Sequence, residues 1–361
     1  MNCINYLNMG LDKESADDMA LLDSLSQALG VSGFEKEVCA YYLEKVTGYV
    51  DRHFFDVMGN AYGVISGAEK GHNIMIEAHA DEIGFQILHI GENGYLYLRR
   101  NGGIDEQCIP GSQVVVVTRN GEHIPGVIGK KPVHLMTADD RKRTLELSQL
   151  WVDTGLEADE VKSRISVGDV AAVKPDWQWL GGNRISGKSL DNKLGVFVLV
   201  KVMRLLAGKR PVYNSVTGVA TVQEEVGSRG AVVAGYNVRP DIAVTIDLDF
   251  ATDVPDCPPN KYGKVELGGG VVIPLHVDCD VELSLQMEKI AQSEGIAYQM
   301  SAKQYATGGT NISRLQLVRE GVRTVSLGIP CRYMHTPVEM CDMRDVNAAV
   351  RLLAHFCLQE N

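Results

Sequence analysis

The chain has no Cys-x-x-Cys pair. Its eight cysteines, Cys3, Cys39, Cys108, Cys257, Cys279, Cys331, Cys341 and Cys357, are scattered singly. That spacing excludes a cysteine zinc knuckle and a thioredoxin-type redox motif, and points to a reducing compartment. A basic excess is also missing: 35 Lys and Arg face 46 Asp and Glu, a net charge of -11. This balance argues against a nucleic-acid surface and favours solubility; part of the acid excess fits a set of metal ligands. There is no long uncharged apolar run. The most apolar helical stretch, residues 194–206, is broken by Lys201 and Arg204 and is too short to span a bilayer. The first residues, Met1-Asn2-Cys3-Ile4-Asn5-Tyr6, carry no basic segment followed by an apolar core, so a secretory signal is not evident. No repeat or low-complexity tract stands out. These absences lead to the expectation of a soluble cytoplasmic protein without a nucleic-acid or membrane partner.

What is present is ordinary globular composition, 45% apolar and 22% charged, over 361 residues, enough for about two domains. Residues 1–18 show no clear periodicity and read as a loose extension. Helical spacing follows over residues 19–29 and 35–46, then a strand over 73–78. After about Gly84 the texture turns β-rich, with short strands at 95–98, 113–118, 123–128 and 168–173. Asn120-Gly121 between the second and third reads as a tight hairpin turn with positive φ angles. From residue 185 helices and apolar strands alternate: helices over 190–206, 281–292 and 344–356, strands over 216–223, 242–246 and 324–327. The expected fold is layered α/β, with a buried mixed sheet, helices on both faces and an inserted small β-rich domain. Its boundaries divide the chain into a catalytic part, residues 1–82 and 185–361, and an insertion, residues 83–184.

The strongest chemical signal is Glu224-Glu225 after the apolar run 218–222. Carboxylates at the end of a buried strand are costly to desolvate unless a cation or proton compensates. Neighbours on an extended strand point oppositely, so one glutamate can bind a metal while the other faces a water beside it. Four other clusters can complete such a site. His79-Ala80-Asp81 ends the strand at 78; a carboxylate two residues from a ligating histidine can fix its tautomer, although a lone histidine is more often a hydrogen-bonded core or surface residue. Asp191 opens a helix, where an acid also complements the dipole. Asp247 and Asp249 lie at the C-terminal end of an apolar strand, where open α/β sheets gather ligands; a solvated loop acid is the plainer alternative. His335 precedes Thr336-Pro337, and the proline restricts Thr336 to extended backbone. Residues 182–189 match the phosphate-loop pattern, but that motif needs a buried strand directly before it, and residues 174–180 contain a proline and several polar groups.

Together these clusters resemble the M42 family of metallo-aminopeptidases, which includes glutamyl, leucyl and lysyl enzymes, tetrahedral particles and members once labelled endoglucanases. The resemblance runs from about residue 20 and rests on Gly30-Val31-Ser32-Gly33-Phe34-Glu35, His79-Ala80-Asp81-Glu82-Ile83-Gly84, Ile185-Ser186-Gly187-Lys188-Ser189-Leu190-Asp191-Asn192, Gln223-Glu224-Glu225-Val226-Gly227, Asp247 with Ala251-Thr252-Asp253-Val254-Pro255 downstream, and Tyr333-Met334-His335-Thr336-Pro337-Val338-Glu339. It implies two divalent metal ions per subunit, zinc or cobalt, with Asp191 bridging them. His335 and Glu225 would complete one site, His79 and Asp247 the other. Glu224 would be the general base acting on a hydroxide between the metals, and Asp81 would orient His79. The implied activity is removal of the N-terminal residue from short peptides, by a homo-oligomer that is dimer-based through the insertion, with a dodecamer as the larger assembly the resemblance implies. One departure is Asn311, after Gly308-Gly309-Thr310, where many members carry Asp. Rival readings are a catalytically silent metal-binding or assembly protein, a glycosidase using two carboxylates without metal, and a nucleotide-binding protein using Lys188.

Overall fold

The computed structural model describes residues 16–210, 212–302 and 309–360. Most of the expected N-terminal extension lies outside these; its last residues already belong to the helix Ala16–Gln27, whose first turn takes Asp17 and Asp18. Acids there suit the helix N-terminus, which is why the helix starts earlier than apolar spacing alone predicts. A second helix, Lys36–Val46, buries Val38, Cys39, Tyr42, Leu43 and Val46.

Three strands follow: β1 (Arg52–Phe55), β2 (Ala61–Ile65) and β3 (Asn73–His79). The chain then leaves this sheet and builds a closed barrel from β4 (Gly84–Ile90), β5 (Leu96–Asn101), β6 (Gln113–Val117), β7 (His123–Lys130), β8 (Leu150–Asp153) and β9 (Val170–Val173), in the order β4-β5-β8-β7-β6-β9. The barrel has its own core, including Phe85, Ile87, Leu98, Val116, Ile128 and Val152. In the β6–β7 connection Gly121 takes φ +80° while Asn120 does not, so one residue rather than the Asn-Gly pair supplies the left-handed turn position. β10 (Trp177–Trp179) and β11 (Arg184–Gly187) lead back.

The returning chain forms the helix Leu190–Ala207, β12 (Ser215–Thr221), the helix Arg229–Val238, β13 (Ile242–Phe250), β14 (Val271–Pro274), the helix Val281–Ser293, β15 (Tyr298–Ser301), β16 (Arg323–Cys331), β17 (Glu339–Asp342) and the helix Met343–Leu358. The large sheet has the order β1-β2-β12-β3-β13-β16-β14-β15. Its centre is parallel, β12, β3, β13 and β16, with antiparallel β2 joining one side and β14 the other. Parallel strands are buried on both faces. Here one face packs Ile74, Ile76, Val216, Ala220, Val244 and Ile246 against the helices Leu190–Ala207 and Met343–Leu358. The other packs Met75, Val219 and Ala243 against Ala231, Ala234 and Leu315.

Strand side chains alternate, so the second face also receives the residues two and four beyond those three: Glu77 and His79 from β3, Thr221 from β12, and Thr245 and Asp247 from β13. The pairings Thr221↔His79 and Thr245↔Glu77 place them side by side near the C-terminal ends of the strands. β17 lies in a separate three-stranded sheet, β10-β11-β17. Among the described residues, no helix is long and apolar enough to cross a membrane.

Candidate metal centre

A cavity of about 330 Å³ opens over those strand ends, lined by His79, Asp191, Glu224, Glu225, Asp247 and His335 among others. All six side chains singled out as ligands or base therefore meet in one place. Asp191 is central. Its Oδ1 lies 3.2 Å from His79 Nε2 and its Oδ2 3.4 Å from His335 Nε2. His79 Nε2 is also 3.5 Å from Asp247 Oδ1, and His335 Nε2 is 3.3 Å from Glu225 Oε1. Donor atoms of His79, Asp191 and Glu225 all lie within 4.8 Å of one another.

The local backbone differs from the expectation at three points. Glu224 and Glu225 are not on a strand: β12 ends at Thr221, Gln223 takes φ +59°, and the amides of Gly227 and Ser228 both donate to Glu224 O. Both glutamates reach the pocket because the chain turns, not because strand neighbours alternate. The turn is held by Glu35 Oε1, which accepts the Gln223 amide at 3.1 Å. Asp191 is not in a helical turn either; it and Asn192 have non-helical backbone angles ahead of the regular helix, joined by a cis peptide. His335 itself sits at φ +63°, a left-handed position that the proline at 337 does not foretell.

Asp81 is fully buried and does more than face the His79 ring. Its Oδ1 is 3.4 Å from His79 Nδ1, but that nitrogen is nearer the Asp81 carbonyl, at 3.1 Å. The carboxylate itself accepts the Glu224 amide at 2.9 Å, the Glu225 amide at 3.0 Å and the Ser32 hydroxyl at 2.7 Å. On the far side, the Gly103 carbonyl lies 3.0 Å from His335 Nδ1. Sequence spacing pointed to neither Gly103 nor Ser32 as a site residue. Asn101-Gly102-Gly103 carries a turn signal, yet nothing in it says that the turn ends against a histidine 232 positions later in the chain.

The electrostatics are those of a cation site. Five carboxylates, Asp191, Glu224, Glu225, Asp247 and Asp249, line the cavity with two imidazoles. Burial pushes the Asp191 carboxyl up, but contacts with His335 and His79 outweigh it and hold it below the ordinary range. Burial raises Glu224 well above a normal glutamate; His79 opposes this, and Asp247, Glu225 and Asp81 add to it. Burial likewise raises Glu225 and Asp247 against the pull of His335 and His79. Against burial, Asp191 and Glu225 lift His335 to about 11. The pocket thus draws positive charge to the centre of the carboxylates. Asp191 Oδ1 is buried without a hydrogen bond: His79 Nε2 is near it but misaligned. A buried carboxylate oxygen left so calls for a partner such as a metal ion or a water, and nitrogen and oxygen donors in this mixture suit zinc or a similar divalent ion. The residues present fit such a group.

Two neighbouring features settle other sequence readings. Lys188, the lysine of the phosphate-loop match, is buried and bonded to Glu82, which also accepts from Ser189. Residues 184–187 of that match are β11, the central strand of the three-stranded sheet, where a phosphate cradle needs a loop. Asn311 lies beneath the centre, its Nδ2 donating to Glu77 Oε2 at 2.8 Å and to Thr221 Oγ1 at 3.0 Å. Its amide therefore supports Glu77, whose other oxygen accepts from Thr245 at 2.6 Å.

A family model described as M42 glutamyl aminopeptidase matches residues 59–352. A putative aminopeptidase of Acetivibrio thermocellus is 33% identical, over 94% of this chain and 98% of that protein. Among solved structures, an aminopeptidase of the archaeon Desulfurococcus kamchatkensis is 34% identical with a TM-score of 0.89, covering 96% of this chain and 95% of its own. The Pyrococcus horikoshii TET1 peptidase, which can assemble into a tetrahedron or a large octahedral shell, is 29% identical with a TM-score of 0.84, covering 95% of this chain and 100% of its own. On the family match and on identity spanning nearly its whole length, the chain belongs to the M42 family of aminopeptidases and is a peptidase.

Proposed function

We propose that this protein removes the N-terminal residue from short peptides at a centre of two divalent metal ions. The observation that carries the reading is the Asp191 carboxylate, which turns one oxygen toward His79 and the other toward His335. A carboxylate so divided could serve both ions at once. His79 and Asp247 flank it on one side, His335 and Glu225 on the other. When bound, the paired ions would polarise the scissile carbonyl and lower the pKa of a water beside it.

The chain supplies the rest. Glu224 lines the same cavity and makes no short contact with either imidazole, so it is free to take a proton from the attacking water and pass it to the leaving amine. Burial, which raises its affinity for protons, suits that exchange. Asp81 holds the peptide amides of Glu224 and Glu225, fixing the base relative to the ligand beside it. The Gly103 carbonyl and the Asp81 carbonyl each face an Nδ1, leaving both Nε2 atoms turned to the cavity.

The barrel, within residues 83–184, is the inserted unit through which we propose that subunits pair, and a higher assembly like that of the Pyrococcus horikoshii relative is the corresponding expectation for this chain. The test of the catalytic reading is turnover of aminoacyl chromogenic substrates by protein loaded with zinc or cobalt. Glu224→Gln should lose about 10²–10⁴-fold in kcat while retaining its metal. Full activity in that variant removes Glu224 as the base, and full activity after exhaustive chelation removes the metals.

A further inference from the structure

Glu339 is 1% exposed and lies just outside the cavity lining, at the first position of β17. Each of its carboxylate oxygens accepts one backbone amide. Oε2 takes the Asp191 amide at 3.0 Å, and Oε1 takes the His335 amide at 2.9 Å. Neither amide can be satisfied by a regular ladder. Asp191 has φ -80° and ψ 105° ahead of the helix, and His335 has φ +63° between two strands. Buried amides need a partner, and irregular backbone keeps its shape only where surrounding groups determine it.

Glu339 is itself well anchored. Its residue pairs with Gly187 of β11, and the next residue, Met340, pairs with Arg332. The carboxylate therefore stands on a strand that touches both segments it holds: β11 runs into Asp191, and Arg332 runs into His335. Asp81 does the equivalent for a different part of the site, taking the amides of Glu224 and Glu225.

We propose that Glu339 is a positioning residue that sets the separation of Asp191 and His335. The inference rests on the reading of those two residues as metal ligands, but the clamp itself is a property of the backbone. Two buried carboxylates divide the work: Asp81 fixes the glutamate turn, and Glu339 fixes the bridge and the histidine opposite it. A ligand pair held by one rigid carboxylate keeps its geometry when the metal leaves, and such outer-shell partners change metal affinity about 10–100-fold when lost.

The experiment uses the full chain in wild-type, Glu339→Ala and Glu339→Gln forms. Residue-resolved amide hydrogen exchange of metal-free protein is measured first, then zinc affinity by competition with a chromophoric chelator, then kcat and KM on an aminoacyl nitroanilide. In Glu339→Ala the Asp191 and His335 amides should exchange at least about tenfold faster, with Glu224 and Glu225 unchanged. Zinc affinity should fall about 10–100-fold and kcat with it, while KM stays within about threefold. Glu339→Gln, nearly isosteric, keeps one acceptor and should release one amide only; it decides the matter if the alanine variant does not fold. Unchanged exchange at both amides in Glu339→Gln, or unchanged zinc affinity in either folded variant, overturns the proposal. Wild-type zinc affinity that survives Asp191→Asn would instead overturn the metal reading, with the exchange data still deciding whether the clamp exists.

Discussion

Asp81 accepts the backbone amide of Glu224 at 2.9 Å, so a residue on the β3 connection fixes the main chain of the proposed base more firmly than it fixes the neighbouring histidine ring. Asp81→Asn would turn one acceptor into a donor facing an amide, at 0% exposure, where no water can rescue it. The expected result is a folded protein with kcat reduced about 10–100-fold, measured on the same aminoacyl substrate. Wild-type kcat in this variant would show that the glutamate turn holds itself.

Gly103 tests the opposite wall. A Cβ there would lie 3.1 Å from His335 Nδ1, with ordinary negative φ and so no backbone penalty of its own. Gly103→Ala should displace the ring by a few tenths of an ångström. Since misplacement by about 1 Å costs about 10²-fold, kcat/KM should fall about tenfold with the melting temperature nearly unchanged. A large loss of stability without loss of activity per folded molecule would contradict this.

Glu82 gives a pH-dependent prediction. It is buried with Lys188 on one oxygen, Lys193 3.8 Å from the other, and the Gly30 amide at 2.8 Å. Burial pushes its carboxyl up, but the two lysines outweigh burial and bring it down from 4.5 to about 2. A carboxylate depressed in the folded state stabilises fully above its unfolded pKa and loses that contribution as pH falls toward the folded one. Glu82→Gln leaves the buried Lys188 ammonium without its carboxylate, while Lys193 keeps the Leu25 and Ala28 carbonyls, and should cost about 3–5 kcal/mol at neutral pH. The gap in melting temperature between wild type and variant should narrow between pH 4.5 and about 2; a gap that is constant across that window would exclude the ion pair as its source.

Asn311 and Glu77 form a pair that can be inverted. Asn311→Asp replaces the donor to Glu77 and Thr221 with an acceptor and should destabilise by about 1–3 kcal/mol. Adding Glu77→Gln returns a donor from the other side, so the double variant should be more stable than the sum of the single ones predicts. Chemical denaturation of the four proteins measures the coupling, and strict additivity would mean that the two side chains act independently.

The residues that gather in the pocket were legible because they end strong signals. β3, β12 and β13 are apolar runs buried along almost their whole length, and a histidine or acid at the end of such a run has few cheap explanations. What stayed hidden acts through backbone or through distant contact. Glu339 and Ser32 matter for what their oxygens do to amides and carboxylates elsewhere, and no spacing encodes that. The glutamate turn was misjudged because Gln223 has no intrinsic preference for positive φ; Glu35, 188 positions earlier, holds it there. β1 escaped for another reason: all four of its residues are exposed, so an edge strand without a buried face leaves no alternation to detect.

The shared face of Met75, Glu77 and His79 carries a constraint on how this protein can change over time. Losing or gaining one residue within β3 would carry the imidazole to the side now occupied by Ile74 and Ile76, among aliphatic groups, and bring an aliphatic group to the cavity. Length variation among descendants of this chain is therefore tolerable in the barrel loops and forbidden in the short stretch between Ile74 and His79, where only exchanges that preserve parity leave a working molecule.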